Sequence, residues 1–153
     1  MTGRRMLLAA GLLAATLGLG LSDVALANDK CLVNTLHGLY VFSATGFIIP
    51  AVPASAQPKA IVEFIRFNGD GTLDVPGATR SLNGVIAQIP GGGTGSYTLA
   101  TLVPADRGCV GTLTFLPAGA HFDLFIPLGG QEIWMIQTDA NNVLQGTATK
   151  LAN

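Results

Sequence analysis

The sequence predicts an all-β domain, an antiparallel up-and-down meander of about eight strands that closes into a small barrel. Three observations carry that prediction. From Leu36 onward, short runs rich in β-branched and aromatic residues recur, broken at regular intervals by glycine, proline, asparagine or aspartate. Beyond the N-terminal leader, no stretch long enough for a helix carries a helical apolar stripe. The connections are short and sequential, which favours a barrel over a two-sheet sandwich, whose Greek key needs a long crossing connection. Closure also removes the exposed edges of an open sheet.

Residues 1–27 read as an export signal. Arg4 and Arg5 form the positive region, residues 6–21 are almost unbroken apolar sequence, and Ala25-Leu26-Ala27 supplies the small residues a signal peptidase requires. The apolar run is shorter than the ~20 residues of a membrane-spanning helix. Cys31 stands behind Asn28, Asp29 and Lys30, which is not the placement of a lipidated cysteine. Cleavage leaves residues 28–153 as a single β-barrel domain, exported to the periplasm or secreted, with no membrane span. In an oxidising compartment its two cysteines, Cys31 and Cys109, have a single way to pair, and a disulfide is expected. A metal pair would need short Cys-x-x-Cys spacing or a nearby histidine.

The predicted strands are 38–46, 59–67, 80–89, 96–103, 110–116, 120–126, 132–138 and 143–151, with 72–75 as a short extra piece. Turns fall at 68–71, 90–93, 104–108, 117–119, 129–130 and 139–142. Residues 47–58, with three prolines among apolar side chains, read as an ordered flap able to cover one end of the barrel.

Asn68-Gly69-Asp70-Gly71 resembles the middle of a calcium loop. Aligned as an EF-hand with Gly71 at the glycine position, however, it puts Arg66 and Gly77 where the anchoring carboxylates belong. Asn-Gly and Asp-Gly are the preferred residues of tight hairpins, so a turn is expected and no metal.

The order His37-Gly38-Leu39-Tyr40-Val41-Phe42, Phe67-Asn68-Gly69-Asp70-Gly71-Thr72-Leu73, Gly95-Ser96-Tyr97-Thr98 and Cys109-Val110-Gly111-Thr112-Leu113-Thr114 resembles a group of uncharacterised exported bacterial proteins. His121-Phe122-Asp123 and Ile136-Gln137-Thr138-Asp139 continue the likeness. The resemblance implies a small barrel similar to calycins and allene-oxide-cyclase-like barrels, and it implies no settled activity.

Charge bounds the function. Residues 28–153 hold six basic and eight acidic side chains, a net charge of −2, with the basic ones scattered singly. Nucleic-acid binding has no electrostatic footprint here. Charged residues make up 11% of the chain against a usual ~25%, which favours a ligand cavity, oligomer contacts or both.

Candidate catalytic residues are Glu63, His121 and Asp123. His121 and Asp123 lie two apart on one strand and share a face, as an acid/base couple if that face points inward and as a solvated pair if it points outward. Glu63 alternates with Ile61, Ile65 and Phe67, and Arg66 with Val62 and Phe64, so each face of that strand carries one charge among apolar side chains. A buried carboxyl there has its pKa raised unless it finds a partner. Candidate ligand-binding residues are Tyr40, Phe42 and Trp134, with Trp134 expected first as core. No nucleophile elbow, phosphate loop, zinc helix or redox cysteine pair occurs, and no cofactor is expected. The leading expectation is a barrel that binds a small hydrophobic ligand. The alternatives are a structural or interaction protein, including a homo-oligomer, and a cofactor-free cyclase or isomerase.

Overall fold

The computed structural model describes residues 31–51, 55–102, 108–117 and 119–152; the expected export signal, residues 1–27, lies outside them. Nine strands follow one another: β1 (His37–Ile48), β2 (Gln57–Asn68), β3 (Thr72–Leu82), β4 (Val85–Ile89), β5 (Gly93–Thr101), β6 (Cys109–Leu116), β7 (Ala120–Ile126), β8 (Glu132–Gln137) and β9 (Asn142–Lys150). Each of β1, β2, β3, β5, β6, β7, β8 and β9 pairs antiparallel with a neighbour on either side, and the β1–β9 pairing closes them into a barrel. The ninth strand, β4, pairs with β3 alone.

Closure of the barrel fixes which of the alternating side chains go inside. Tyr40, Phe42 and Ala44 on β1, Glu63, Ile65 and Phe67 on β2, and Phe122, Leu124 and Ile126 on β7 are buried, while the residues between them on β2 and β7 are exposed. Closure of β1 on β9 is tight. A Cβ on Gly46 would collide with the Val143 carbonyl oxygen, so glycine is required where the two strands converge.

The run expected as one strand over 80–89 is a hairpin. Asn83 and Gly84, at φ 48 and 82, form the left-handed pair of a tight two-residue turn between β3 and β4. Conversely, the 72–75 piece continues through Pro76 to Leu82. Between the Phe64–Gly77 and Arg66–Asp74 pairs, β2 has one residue and β3 has two, so Val75-Pro76 is a bulge. That is where a strand tolerates a residue without an N–H. On the other edge of β3, Pro90-Gly91-Gly92 separates β4 from β5 at the same level. The β3–β4 hairpin therefore extends beyond the body of the barrel as a lip.

The turn at Asn68–Gly71 joins β2 to β3. Asp70 Oδ1 accepts from the Thr72 N–H (2.9 Å) and the Thr72 hydroxyl (2.6 Å), which holds the carboxyl below its usual range.

One end of the barrel is plugged. The N-terminal segment makes a single 3₁₀ turn, Val33–Thr35, and drives Leu36 into the core. The Tyr97 hydroxyl reaches the carbonyls of Val33 (2.8 Å) and Leu36 (3.0 Å), and the Tyr40 hydroxyl donates to Gly130 O (2.6 Å). Phe67 stands edge-on to both tyrosines, 5.1 Å from each. The disulfide between Cys31 and Cys109 fastens the plug to β6, with Cα atoms 5.5 Å apart across 78 positions of sequence. No helix of the described residues is long and apolar enough to cross a membrane.

Candidate functional site

Among the described residues, the opposite end is open. A cavity of about 470 Å³ lies there beneath the β3–β4 lip, and all nine strands contribute to its lining. Its wall is apolar, built from Phe42, Ile61, Val75, Phe115, Phe122 and Leu144. Phe122 anchors that wall by standing edge-on to Phe42 at 5.9 Å and to Phe115 at 5.7 Å. Of the predicted flap, residues 52–54 lie outside the described ones, and none of its described residues lines the cavity.

Inside this wall sits Glu63. In register it lies between Phe42 on β1 and Ala78 on β3, and the residue is 8% exposed. The carboxyl makes no hydrogen bond or ion pair with any described residue. Burial pushes its pKa up to about 7, against the pull of the Lys59 ammonium. Sequence alternation left open which face of β2 points inward. The barrel resolves it in favour of Glu63, and Arg66 lies on the exposed face.

Four further polar side chains stand at or beside the entrance. Lys59, four residues before Glu63 on the same face of β2, donates to Gln137 Oε1 at 3.2 Å. Burial and the neighbouring Arg80 lower the Lys59 pKa, while Asp139 and Glu63 act in the opposite sense. Gln137 Nε2 then donates to Asp139 Oδ2 at 2.6 Å. Desolvation would raise the Asp139 pKa, but hydrogen bonds from Gln137 and from the backbone and ring of His121 prevail and hold it at about 2. Arg80 lines the cavity from β3.

His121 belongs to this chain of contacts from the outside. Its Nδ1 lies 2.6 Å from Asp139 Oδ1, its backbone N–H donates to Asp139 Oδ2 at 2.9 Å, and its side chain is 55% exposed. The carboxylate beside the imidazole is thus Asp139 and not Asp123, which faces outward on β7 opposite Thr112 and Ile136. Glu63 does not converge with His121 and Asp123: the first faces the cavity, the other two face solvent. No protein-family model, curated protein or solved structure matches the chain.

The aromatic candidates separate in the same way. Phe42 lines the cavity, whereas Tyr40 is buried at the plugged end, where burial and then Tyr97 push its pKa up to about 12. Trp134, expected in the core, is 54% exposed on the outer face. It pairs there with Phe125, which is also exposed, while Ile133 and Met135 take the inner positions of β8. A period of two cannot say which of two apolar faces is inside, and β8 is apolar on both.

Lys59, Gln137, Asp139 and Arg80 were not among the residues the sequence singled out. Parity alone groups Lys59 with Ile61 and Glu63, and Gln137 with Ile133 and Met135. Arg80 is hidden by the bulge at Pro76, which shifts the alternation along β3. A second hollow, of about 580 Å³, lies on the outer surface between Phe47, Pro58, Ser81 and Val143. It shares Lys59 with the mouth cavity and holds no carboxyl. The mouth cavity, walled by inward-facing side chains and containing a buried carboxyl, is the candidate site.

Proposed function

We propose that this protein is an exported barrel that binds a small hydrophobic molecule in its open end. The observation that carries the reading is the apolar space of about 470 Å³ at the barrel mouth, within the range typical of small-molecule sites. That space has room for one compact organic molecule. Apolar walls with few polar groups favour retention over chemistry. The calycin-like likeness and export to the periplasm or exterior fit the same reading, as does a disulfide in the domain.

A cofactor-free cyclase or isomerase is the second reading, and Glu63 favours it, because a carboxyl poised near neutrality suits proton transfer. It would have to work without His121 and Asp123, which lie outside the cavity. Exposed Val62, Phe64, Phe125, Trp134 and Ile136 on the outer wall support self-association as part of the binding reading.

Native mass spectrometry of the exported protein from its own host tests these points together. The expected spectrum shows a retained apolar compound, released unchanged, on an assembly larger than one chain. Ile61→Trp, which fills the cavity from β2, should abolish retention. Conversion of the compound by wild type but not by Glu63→Gln would replace the binding reading with the enzyme, and a bare monomer would remove both ligand and assembly.

A further inference from the structure

Glu63 is anomalous for a group that only lines a pocket. Among the described residues, no side-chain nitrogen or oxygen cut off from both solvent and cavity lacks a hydrogen-bond partner. The Glu63 carboxyl has no such partner, so it opens onto the cavity. An unpaired polar group in apolar surroundings lowers stability, and a Leu or Met at this position would serve packing better. A ligand group that pairs with the carboxyl would recover the lost hydrogen bond.

We propose that Glu63 is the recognition group of the cavity and selects hydrophobic molecules that carry a carbonyl oxygen at their leading end. The inference rests on the binding reading above and adds the class of ligand. Charge at the entrance argues for it. Lys59 on β2 and Arg80 on β3 both face the cavity, and two cations disfavour passage of an ammonium group toward Glu63. A carboxylate ligand would be attracted to those cations at the rim and repelled by Glu63 once that group ionises. A neutral polar group meets neither obstacle.

The protonation state of Glu63 then sets which neutral group is held. The cavity residues of β1, β4, β5, β6, β7 and β9 carry no charge, and β8 contributes the neutral Gln137. Asp139, just beyond β8, is occupied by His121 and Gln137. Burial, opposed by Lys59 alone, holds the Glu63 pKa up to about 7. Below that pH the carboxyl is protonated and donates. A carbonyl oxygen can accept that bond, and it loses the bond when the carboxyl ionises. A ligand carbonyl is therefore held at acidic pH and released as pH rises through about 7. An alcohol, able both to donate and to accept, is held in either state.

A matched set of monoterpenes tests this: menthane, menthone, menthol and menthylamine, titrated calorimetrically into the disulfide-bonded protein at about pH 6 and about pH 9. Wild type should prefer menthone to menthane by about tenfold at the lower pH, one hydrogen bond's worth. Between about pH 6 and about pH 9 menthone affinity should fall by about tenfold in all, to the level of menthane, as the one hydrogen bond is lost, with menthol changing little. Glu63→Gln, whose amide donates at every pH, should bind menthone without that pH dependence. Equal, pH-independent binding of menthone and menthane overturns the assignment of Glu63 and leaves the cavity reading standing, as does a preference for menthylamine. Failure of all four to bind at millimolar concentration overturns the cavity reading itself.

Discussion

The two ends of the barrel are made from the same alternation of inward side chains, yet they solve opposite problems. At the plugged end Tyr40, Phe67 and Tyr97 fill the interior, and both hydroxyls find backbone carbonyls of the plug or the β7–β8 turn. At the open end Phe42, Phe115 and Phe122 stack in the same edge-on manner, but they wall a space and leave Glu63 unpaired. An end whose buried side-chain polar atoms, among the described residues, all find hydrogen-bond partners is built for rigidity. At the other, the Glu63 carboxyl opens onto the cavity with no hydrogen-bond partner among the described residues, and a ligand is the natural partner for it.

The largest test of this contrast is the staple at the plugged end. Closing a loop of 78 positions stabilises by about 4.5 kcal/mol in the chain-entropy account, less any strain. Replacing Cys31 and Cys109 together by serine should lower the unfolding free energy in urea by that order. Hydrogen exchange should rise first around Leu36 and Tyr97, with the amides of β7 near Phe122 following the global loss. A change below about 1 kcal/mol would mean that Leu36 and the tyrosine hydrogen bonds seat the plug without the disulfide, and the contrast would then rest on packing alone.

At the open end the corresponding weakness is Glu63. Its pKa is raised on folding, to about 7, so its neutral form is fully compatible with the fold at low pH. As pH climbs, the unfolded chain ionises first, and stability falls until the folded-state pKa is passed. The displacement corresponds to about 3 kcal/mol. Unliganded protein should therefore be more stable near pH 5 than near pH 8 by that order, and Glu63→Gln should remove most of the difference. A wild-type profile flat across this window would show that the carboxyl ionises freely, and the pH-dependent release of a carbonyl ligand would fall with it.

Much of this architecture was legible in the chain because turns and alternation are local. Asn68-Gly69-Asp70-Gly71 marks a hairpin whatever surrounds it, and 120–126 coincides with β7. The β3–β4 hairpin was missed because Pro76-Gly77 looked like the end of a strand, and Asn83-Gly84 was absorbed into a run that looked continuous. The bulge tolerates the proline, and that is a property of the pairing between strands. Orientation was less legible than strand position. β2, β7 and β8 are apolar on both faces, so Glu63 inside, His121 outside and Trp134 outside follow only from closure. The mouth network of Lys59, Gln137 and Asp139 joins residues up to 80 positions apart, and no local pattern can announce it.

That network supplies the smallest expected effect and a check on whether the open end is a cavity alone or a cavity with a braced rim. Asp139 is held at about 2 although desolvation acts to raise it, because Gln137 and His121 both hydrogen-bond to it. A lowered carboxyl pKa contributes stability above the unfolded-state value, and this is lost as pH falls toward the folded-state value. The side chain is 24% exposed, so solvent screening reduces the contribution to about 1 kcal/mol. Asp139→Asn should cost about that much near pH 6 and flatten the acid limb of the stability curve, while the plugged end keeps its exchange protection. Gln137 would then lose its charged acceptor and hold Lys59 less firmly, so menthone affinity should fall by roughly twofold to threefold with its pH dependence intact, within the reach of a single weakened hydrogen bond. If affinity does not move while stability does, the rim braces the barrel without shaping the ligand's path. If neither moves, the contacts from Lys59 to His121 are surface pairs of no consequence, and recognition at the mouth belongs to Glu63 and the aromatic wall.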